Sequence, residues 1–192
     1  MTNLLNTLAV SFDLPILDWI QATMQCTFLD KIMPLITVLG DGGAFWIACA
    51  VLMILLKKYR KAGFSAGLAL IFGLLICNMI LKPWVARIRP YDFQEQAGIL
   101  INLLIEKEHS LSFPSGHTIA SFEAATAILL RHKKLGIAAM ILACLIAFSR
   151  MYLYVHYPTD VIASVFLGIG LAFLASWIVN KVSAAIVAKK AN

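Results

Sequence analysis

The sequence predicts an all-α fold: one domain over residues 1–192, built as a polytopic bundle of transmembrane helices with amphipathic helices at the N-terminus. Three observations carry this. Of the 192 residues 61% are hydrophobic and 14% charged, with a mean hydropathy of +0.86; a soluble domain is roughly half apolar and a quarter charged. A chain this short has too little interior to hide the excess, so lipid must cover it. The apolar residues also collect in long runs, with basic residues clustered between them.

Five runs read as spans: Asp41–Leu56, Gly63–Leu81, Ser115–Leu130, Leu135–Tyr152 and Thr159–Val179. As a helix Gly63–Leu81 rises about 28 Å, close to the roughly 30 Å of hydrocarbon. The first and third are short for that distance. They must run on into their flanks or sit where protein replaces lipid. Asp41 is expected to cap the first span. Ahead of it, Leu14–Met24 and Phe28–Leu39 are amphipathic and interrupted by Pro15, Asp18, Asp30, Lys31 and Pro34, which suits two interfacial helices on the outer surface. The alternative is a sixth span through Ile32–Leu39, which would move the N-terminus inside.

The net charge of +6 raises nucleic acid as a partner, but its distribution argues against one. Lys57-Lys58-Tyr59-Arg60-Lys61 and Arg131-His132-Lys133-Lys134 lie between apolar runs, with Lys181, Lys189 and Lys190 near the C-terminus, as cytoplasmic loops do under the positive-inside bias. Ten of the sixteen Lys and Arg residues then face the cytoplasm. Gly40–Gly43, Lys82–Pro114 and Val155–Pro158 fall on the other side. The four cysteines, Cys26, Cys49, Cys77 and Cys144, form no C-x-x-C pair, so neither a disulfide framework nor a zinc site is expected. No basic residue precedes Lys31 and no compact apolar run ends in a cleavage site, so no cleaved signal peptide is expected.

Three polar clusters share the outer side. Lys82-Pro83-Trp84-Val85-Ala86-Arg87-Ile88-Arg89-Pro90 ends the second span, Phe113-Pro114-Ser115-Gly116-His117 opens the third, and Ser149-Arg150 with His156 and Asp160 joins the fourth to the fifth. Lys and Arg offer donors without acceptors, and a guanidinium grips two phosphate oxygens at once. A helix beginning near Ser115 would aim its free N–H groups and dipole at the same mouth, and Gly116 would let a ligand approach the backbone. The set suits a phosphoryl group.

His156 and Asp160 are four apart, so one helical turn would bring them together. A carboxylate on one ring nitrogen fixes the tautomer and leaves the other free to attack. His117, from another helix, could protonate the leaving oxygen. This is covalent catalysis that calls for no metal or other cofactor.

Lys82–Pro90 matches K-x6-R-P, Pro114–His117 matches P-S-G-H, and Ser149–Asp160 matches S-R-x5-H-x3-D. In that order they resemble the three-part motif of type 2 phosphatidic acid phosphatases. The resemblance implies a phosphohistidine on His156, oriented by Asp160, with His117 as general acid. Lys82, Arg89, Ser115, Gly116 and Arg150 would hold the phosphate oxygens. It also implies a lipid phosphate or diphosphate as substrate, in the plasma membrane with the site facing outward. The short, outward-facing design is similar to bacterial undecaprenyl diphosphate phosphatases, which recycle the lipid carrier of cell-wall synthesis; phosphatidylglycerophosphate or phosphatidate is the alternative.

Each feature has a plainer reading. Lys82, Arg89 and Arg150 could snorkel to headgroups, although their company with both histidines argues otherwise. His109 and His132 read as structural. Glu123, eight residues after Ser115 in an apolar helix, either contacts substrate or makes a structural hydrogen bond. Trp84, Tyr91, Tyr152, Tyr154 and Tyr157 suit an aromatic belt. From another class, a transporter or silent scaffold would place polar residues along a path, whereas here they gather at one face. The sequence leaves the oligomeric state open.

Overall fold

In the computed structural model, which describes residues 2–191 and the side chains of residues 4–189, every regular element is helical. The side chain of Lys190 lies outside the described residues. Helix α1 (Thr2–Leu8) passes through a wide π turn at Ala9–Asp13 into α2 (Leu14–Met24), because the backbone stays right-handed at both joints. Pro15 sits in the first turn of α2, where its missing N–H would have gone unpaired in any case. Helix α3 (Thr27–Val38) ends in a tight turn at Asp41–Gly43. There Gly42 and Gly43 hold φ of +56° and +68°, left-handed values that favour glycine. The turn opens α4 (Ala44–Leu55).

Helix α5 (Arg60–Leu74) loosens into a second π segment, Leu75–Leu81, before the short α6 (Lys82–Val85) and α7 (Pro90–Gln96). An irregular loop then leads to α8 (Gly116–Leu129), α9 (Lys133–Tyr152) and α10 (Pro158–Ala191). The last runs twelve residues past the expected end at Val179, since no proline or glycine stops it after Gly170.

Helix α8 is the centre. Its sequence GHTIASFEAATAIL is rich in small side chains, which let α5, α9 and α10 pack closely around it. Thr118, Ile119 and every residue from Ser121 to Ile128 are buried. The surrounding core is equally small-grained: Ala50, Ala66, Ala124, Ala125, Ala127, Ala143, Ala147 and Ala172, filled by Trp46, Phe122 and Ile146. Trp46 donates its indole N–H to the Ser121 hydroxyl at 2.9 Å. Enclosure explains why this 14-residue helix, rising about 21 Å, is shorter than a bilayer.

By length and composition three stretches can cross a membrane: Arg60–Gln96, Lys133–Tyr152 and Pro158–Lys189. The bent pair Thr27–Val38 and Asp41–Leu55, at 43°, makes a fourth if counted as one span. The short first span thus follows, across a 43° bend, the segment that sequence offered as a sixth.

The N-terminal arm packs on α9 and on the turn after it. Leu14, Leu17, Ile20 and Met33 meet Tyr91, Tyr152, Leu153, Tyr154, Val155 and Tyr157 in a second core. Full burial of Leu17 and Ile20 contributes roughly 1.5–3 kcal/mol each. The aromatic belt expected at the interface is corrected here. Trp84 is exposed, but all four tyrosines are buried. Tyr152 donates to Asp30 and Tyr154 to Asp18, both at 2.6 Å, while Tyr91 donates to the Glu108 carbonyl at 2.7 Å. The acidic residues that made the arm look interfacial hold it to the bundle.

Candidate active site

The three clusters meet at one end of the bundle, and two backbone positions aim them inward. Ala86, with φ +49°, ends α6 and turns the following arginines toward α10. Tyr154, with φ +59°, kinks the turn that carries His156. Left-handed backbone at a residue with a Cβ costs on the order of 1–3 kcal/mol, and such positions concentrate at functional sites.

Arg87, which the sequence reading passed over, anchors the inner part of the mouth. Its guanidinium donates to Asp13 and to Asp160, both at 2.6 Å, and to the Thr159 hydroxyl at 2.8 Å. It also lies 3.7 Å from the centre of the Tyr157 ring. Asp160 further accepts from the Ser112 hydroxyl at 2.5 Å and the Tyr157 N–H at 3.2 Å. With its oxygens so occupied, Asp160 stops 3.7 Å from His156 Nδ1. The hydrogen bond expected between them is therefore not closed. His156 precedes α10 and Asp160 lies in its first turn, so a loop, not a helical repeat, sets their spacing. His156 Nδ1 and Arg150 Nε are buried without a hydrogen-bond partner.

The outer part is built around Glu108, also missed in sequence. Its Oε2 accepts from Arg89 at 2.6 Å, and its Oε1 from Arg150. Arg89 also donates to the Val155 carbonyl at 2.8 Å and lies 3.3 Å from His156 Nε2. Arg150 lies 3.4 Å from His117 Nε2 and donates to the Thr37 hydroxyl at 2.5 Å. Each arginine therefore stands between Glu108 and a different histidine. Burial alone would raise the Glu108 pKa, but Arg150 and Arg89 outweigh it and hold the carboxyl at about 2. Burial, then Arg89 and Arg150, push the His156 ring well below its ordinary pKa, so the ring is neutral.

His117 opens α8 with its Nε2 2.7 Å from Asp41 Oδ1. Asp41 makes no cap bond, contrary to expectation; it partners the histidine instead. Lys82 reaches the Ser110 hydroxyl at 3.4 Å, and that hydroxyl also accepts from Arg89 at 2.9 Å. Ser115 is fully buried as the cap of α8, its hydroxyl accepting from Thr118 and its N–H donating to Ser164 at 2.9 Å. Gly116 faces open space. His109 is exposed, and His132 rests edge-on against Tyr59 at 4.7 Å.

Below this mouth a cavity of about 950 Å³ runs between α4, α5, α8 and the distal half of α10. Lys82, Arg89, Glu108, Gly116, His117 and His156 line its head; Ile47, Val51, Phe64, Leu70, Ile71, Val182 and Ile186 line its length. Glu123 is set into its wall.

The PAP2 superfamily pattern matches residues 61–184. Undecaprenyl-diphosphatase of Sulfolobus acidocaldarius is 34% identical over 131 residues, covering 68% of this chain and 61% of that protein. Phosphatidylglycerophosphatase B of Bacillus subtilis is 32% identical over 163 residues, covering 79% of this chain and 69% of its own length. Among solved structures, Aquifex aeolicus LpxE superposes with a TM-score of 0.71 at 25% identity, covering 86% of this chain and 94% of that one. The chain spans about three fifths of the archaeal relative's length. The family pattern, the relatives and the fold agree, and the chain belongs to the PAP2 superfamily.

Proposed function

We propose that this PAP2 membrane phosphatase hydrolyses undecaprenyl diphosphate to the monophosphate through a phosphohistidine on His156. One observation carries the reading: Arg89 and Arg150 converge on a single anion, and each stands beside a different histidine. The two arginines and Lys82 hold the phosphoryl oxygens, with the free N–H groups at the start of α8 beside Gly116. Ser115 acts by capping that helix.

In the first step His156 Nε2 attacks phosphorus, the N–P bond forms and the bond to the leaving oxygen breaks. His117 gives that oxygen a proton, and Asp41 steadies the charged ring. In the second step His117 takes a proton from water, the water oxygen attacks phosphorus and the N–P bond breaks. Asp160 faces Nδ1 and moves the last fraction of an ångström as charge develops on the ring. A side-chain nucleophile and fixed cations leave no role for a metal, so turnover persists in excess EDTA.

The apolar cavity under the mouth suits a long isoprenoid, and the 34% identical archaeal relative is named for this diphosphate. The B. subtilis relative supports phosphatidylglycerophosphate as the second reading. Phosphate release by the purified chain from undecaprenyl diphosphate, phosphatidylglycerophosphate and phosphatidate decides between them; no release from any of the three overturns the assignment. The positive-inside charge bias supports a mouth that faces away from the cytoplasm, and we read the membrane as the plasma membrane. In a background lacking the native cysteines, Glu95→Cys should label with an impermeant thiol reagent on intact cells and Lys134→Cys should not. The reverse pattern overturns the orientation.

A further inference from the structure

The Glu108 carboxylate stands where the proposed chemistry needs phosphate. Its two oxygens take a donor each from Arg89 and Arg150, the guanidiniums that flank His156 and His117. Both arginine side chains are 1% exposed, and buried cations without an anion are costly. In the absence of substrate Glu108 is that anion. Unlike Asp13 and Asp160, which are fully buried on helical backbone, it is carried on an irregular loop with its own side chain 29% exposed, so it has a way out toward solvent.

We propose that Glu108 is an intramolecular competitor for the phosphate seat: a phosphoryl group binds only by displacing its carboxylate from Arg89 and Arg150, and the carboxylate returns as phosphate leaves. This rests on the reading of those arginines as phosphate ligands. The competition sets specificity by charge. A carboxylate brings one negative charge and two oxygens. A phosphomonoester dianion or a diphosphate brings more of both and also engages Lys82 and the start of α8, so it wins; sulfate monoesters and carboxylates do not gain enough to displace Glu108. The returning carboxylate also limits product inhibition. When the binding-competent state is a minor fraction, apparent affinity falls by that fraction. A seat held by Glu108 nine-tenths of the time therefore binds phosphate about tenfold more weakly than an open one.

Anchoring around the loop supports a hinged exchange. Tyr91 donates its hydroxyl to the Glu108 carbonyl at 2.7 Å, and Arg89 donates its Nε–H to the Ser110 carbonyl at 2.8 Å. The backbone is thus tethered at the residue itself and two residues on, and the side chain can leave while this stretch of the loop stays.

The test is calorimetric titration of inorganic phosphate into the full chain in lipid nanodiscs, for wild type, Glu108→Gln, Glu108→Asp and Arg150→Lys. Glu108→Gln should bind phosphate about tenfold more tightly than wild type, and its melting temperature should rise more on adding phosphate. Glu108→Asp keeps the charge but cannot span both arginines, so it should fall between the two; it carries the test should the amide variant fail to fold. In turnover Glu108→Gln should lower KM and strengthen inhibition by phosphate. Arg150→Lys should weaken phosphate binding. Should Arg150→Lys weaken binding while both Glu108 variants bind no more tightly than wild type, the competitor is overturned and the seat stands. Should phosphate bind none of the proteins, or Arg150→Lys bind it as wild type does, the seat reading fails and the competitor with it.

Discussion

The mouth of the bundle holds two arginine–carboxylate assemblies of similar chemistry on different kinds of backbone. In the inner one Arg87 is clamped between Asp13 and Asp160, whose side chains are fully buried on helical backbone. In the outer one Arg89 and Arg150 share Glu108, borne on a loop. Anions fixed on helices make a strut that joins the N-terminal arm, α10 and the segment before α7. An anion on a loop makes a position that a ligand can take. The identity of the side chain does not say which; the element that carries its partner does.

If this contrast holds, lesions in the outer half should remove chemistry and leave the fold, and loss of Arg87 in the inner half should cost the fold first. The largest effect is expected at His156→Ala: no phosphate release and no trapped phosphoenzyme, with a melting temperature close to wild type. A phosphohistidine persisting in that variant would move the nucleophile to His117. His117→Ala should come next. General acid catalysis contributes about 10²–10⁴-fold, so an alkyl phosphate should slow by that much while an aryl phosphate with a low-pKa phenol recovers most of the loss. Equal losses on both substrates would make His117 a phosphate ligand.

Arg87→Met tests the inner half. It strands Asp13 and Asp160 as unpaired buried carboxylates, and breaking a buried pair in this way costs about 3–5 kcal/mol. Denaturant unfolding in micelles should show that loss, and Asp13→Asn combined with Arg87→Met should recover part of it. A stability unchanged in Arg87→Met would mean the strut is no strut.

The same contrast explains what sequence could and could not show. Spacing within a motif is local, and hydropathy is local, so the long apolar helices and the gathering of Lys82, Arg89, His117, Arg150 and His156 at one end were legible. Long-range partners were not. Arg87 meets Asp13 across 74 residues, His117 meets Asp41 across 76, and Tyr154 meets Asp18 across 136. Such pairs are set by how helices pack. A signal was nonetheless present: Asp13, Asp18 and Asp30 recur in an apolar arm whose single lysine is Lys31, and acids in such surroundings need partners elsewhere. For Glu108 nothing local distinguished it from Glu106, since a loop residue gains its meaning from what the loop is laid against.

The smallest effect is expected at Glu123, six residues after His117 on α8. It is 1% exposed, its Oε2 has no hydrogen-bond partner, and it packs against Gly73, where an added Cβ would collide with the carboxylate. Among the described residues no arginine or lysine pairs with it, unlike Asp13, Glu108 and Asp160. Glu123→Gln keeps the shape and a polar tip, so turnover on the best substrate should stay within about threefold of wild type, as substitutions that leave burial and shape intact do. Because Glu123 lines the cavity and not its head, what changes should be KM, and by different factors for an isoprenoid and a diacylglycerol substrate, since only the latter carries ester carbonyls near that depth. Gly73→Ala should mimic the change by pushing the carboxylate aside. A fall in kcat of a hundredfold or more in Glu123→Gln, with KM unchanged, would place Glu123 in the chemistry, and the division between a reacting mouth and a lipid-holding cavity would have to be redrawn.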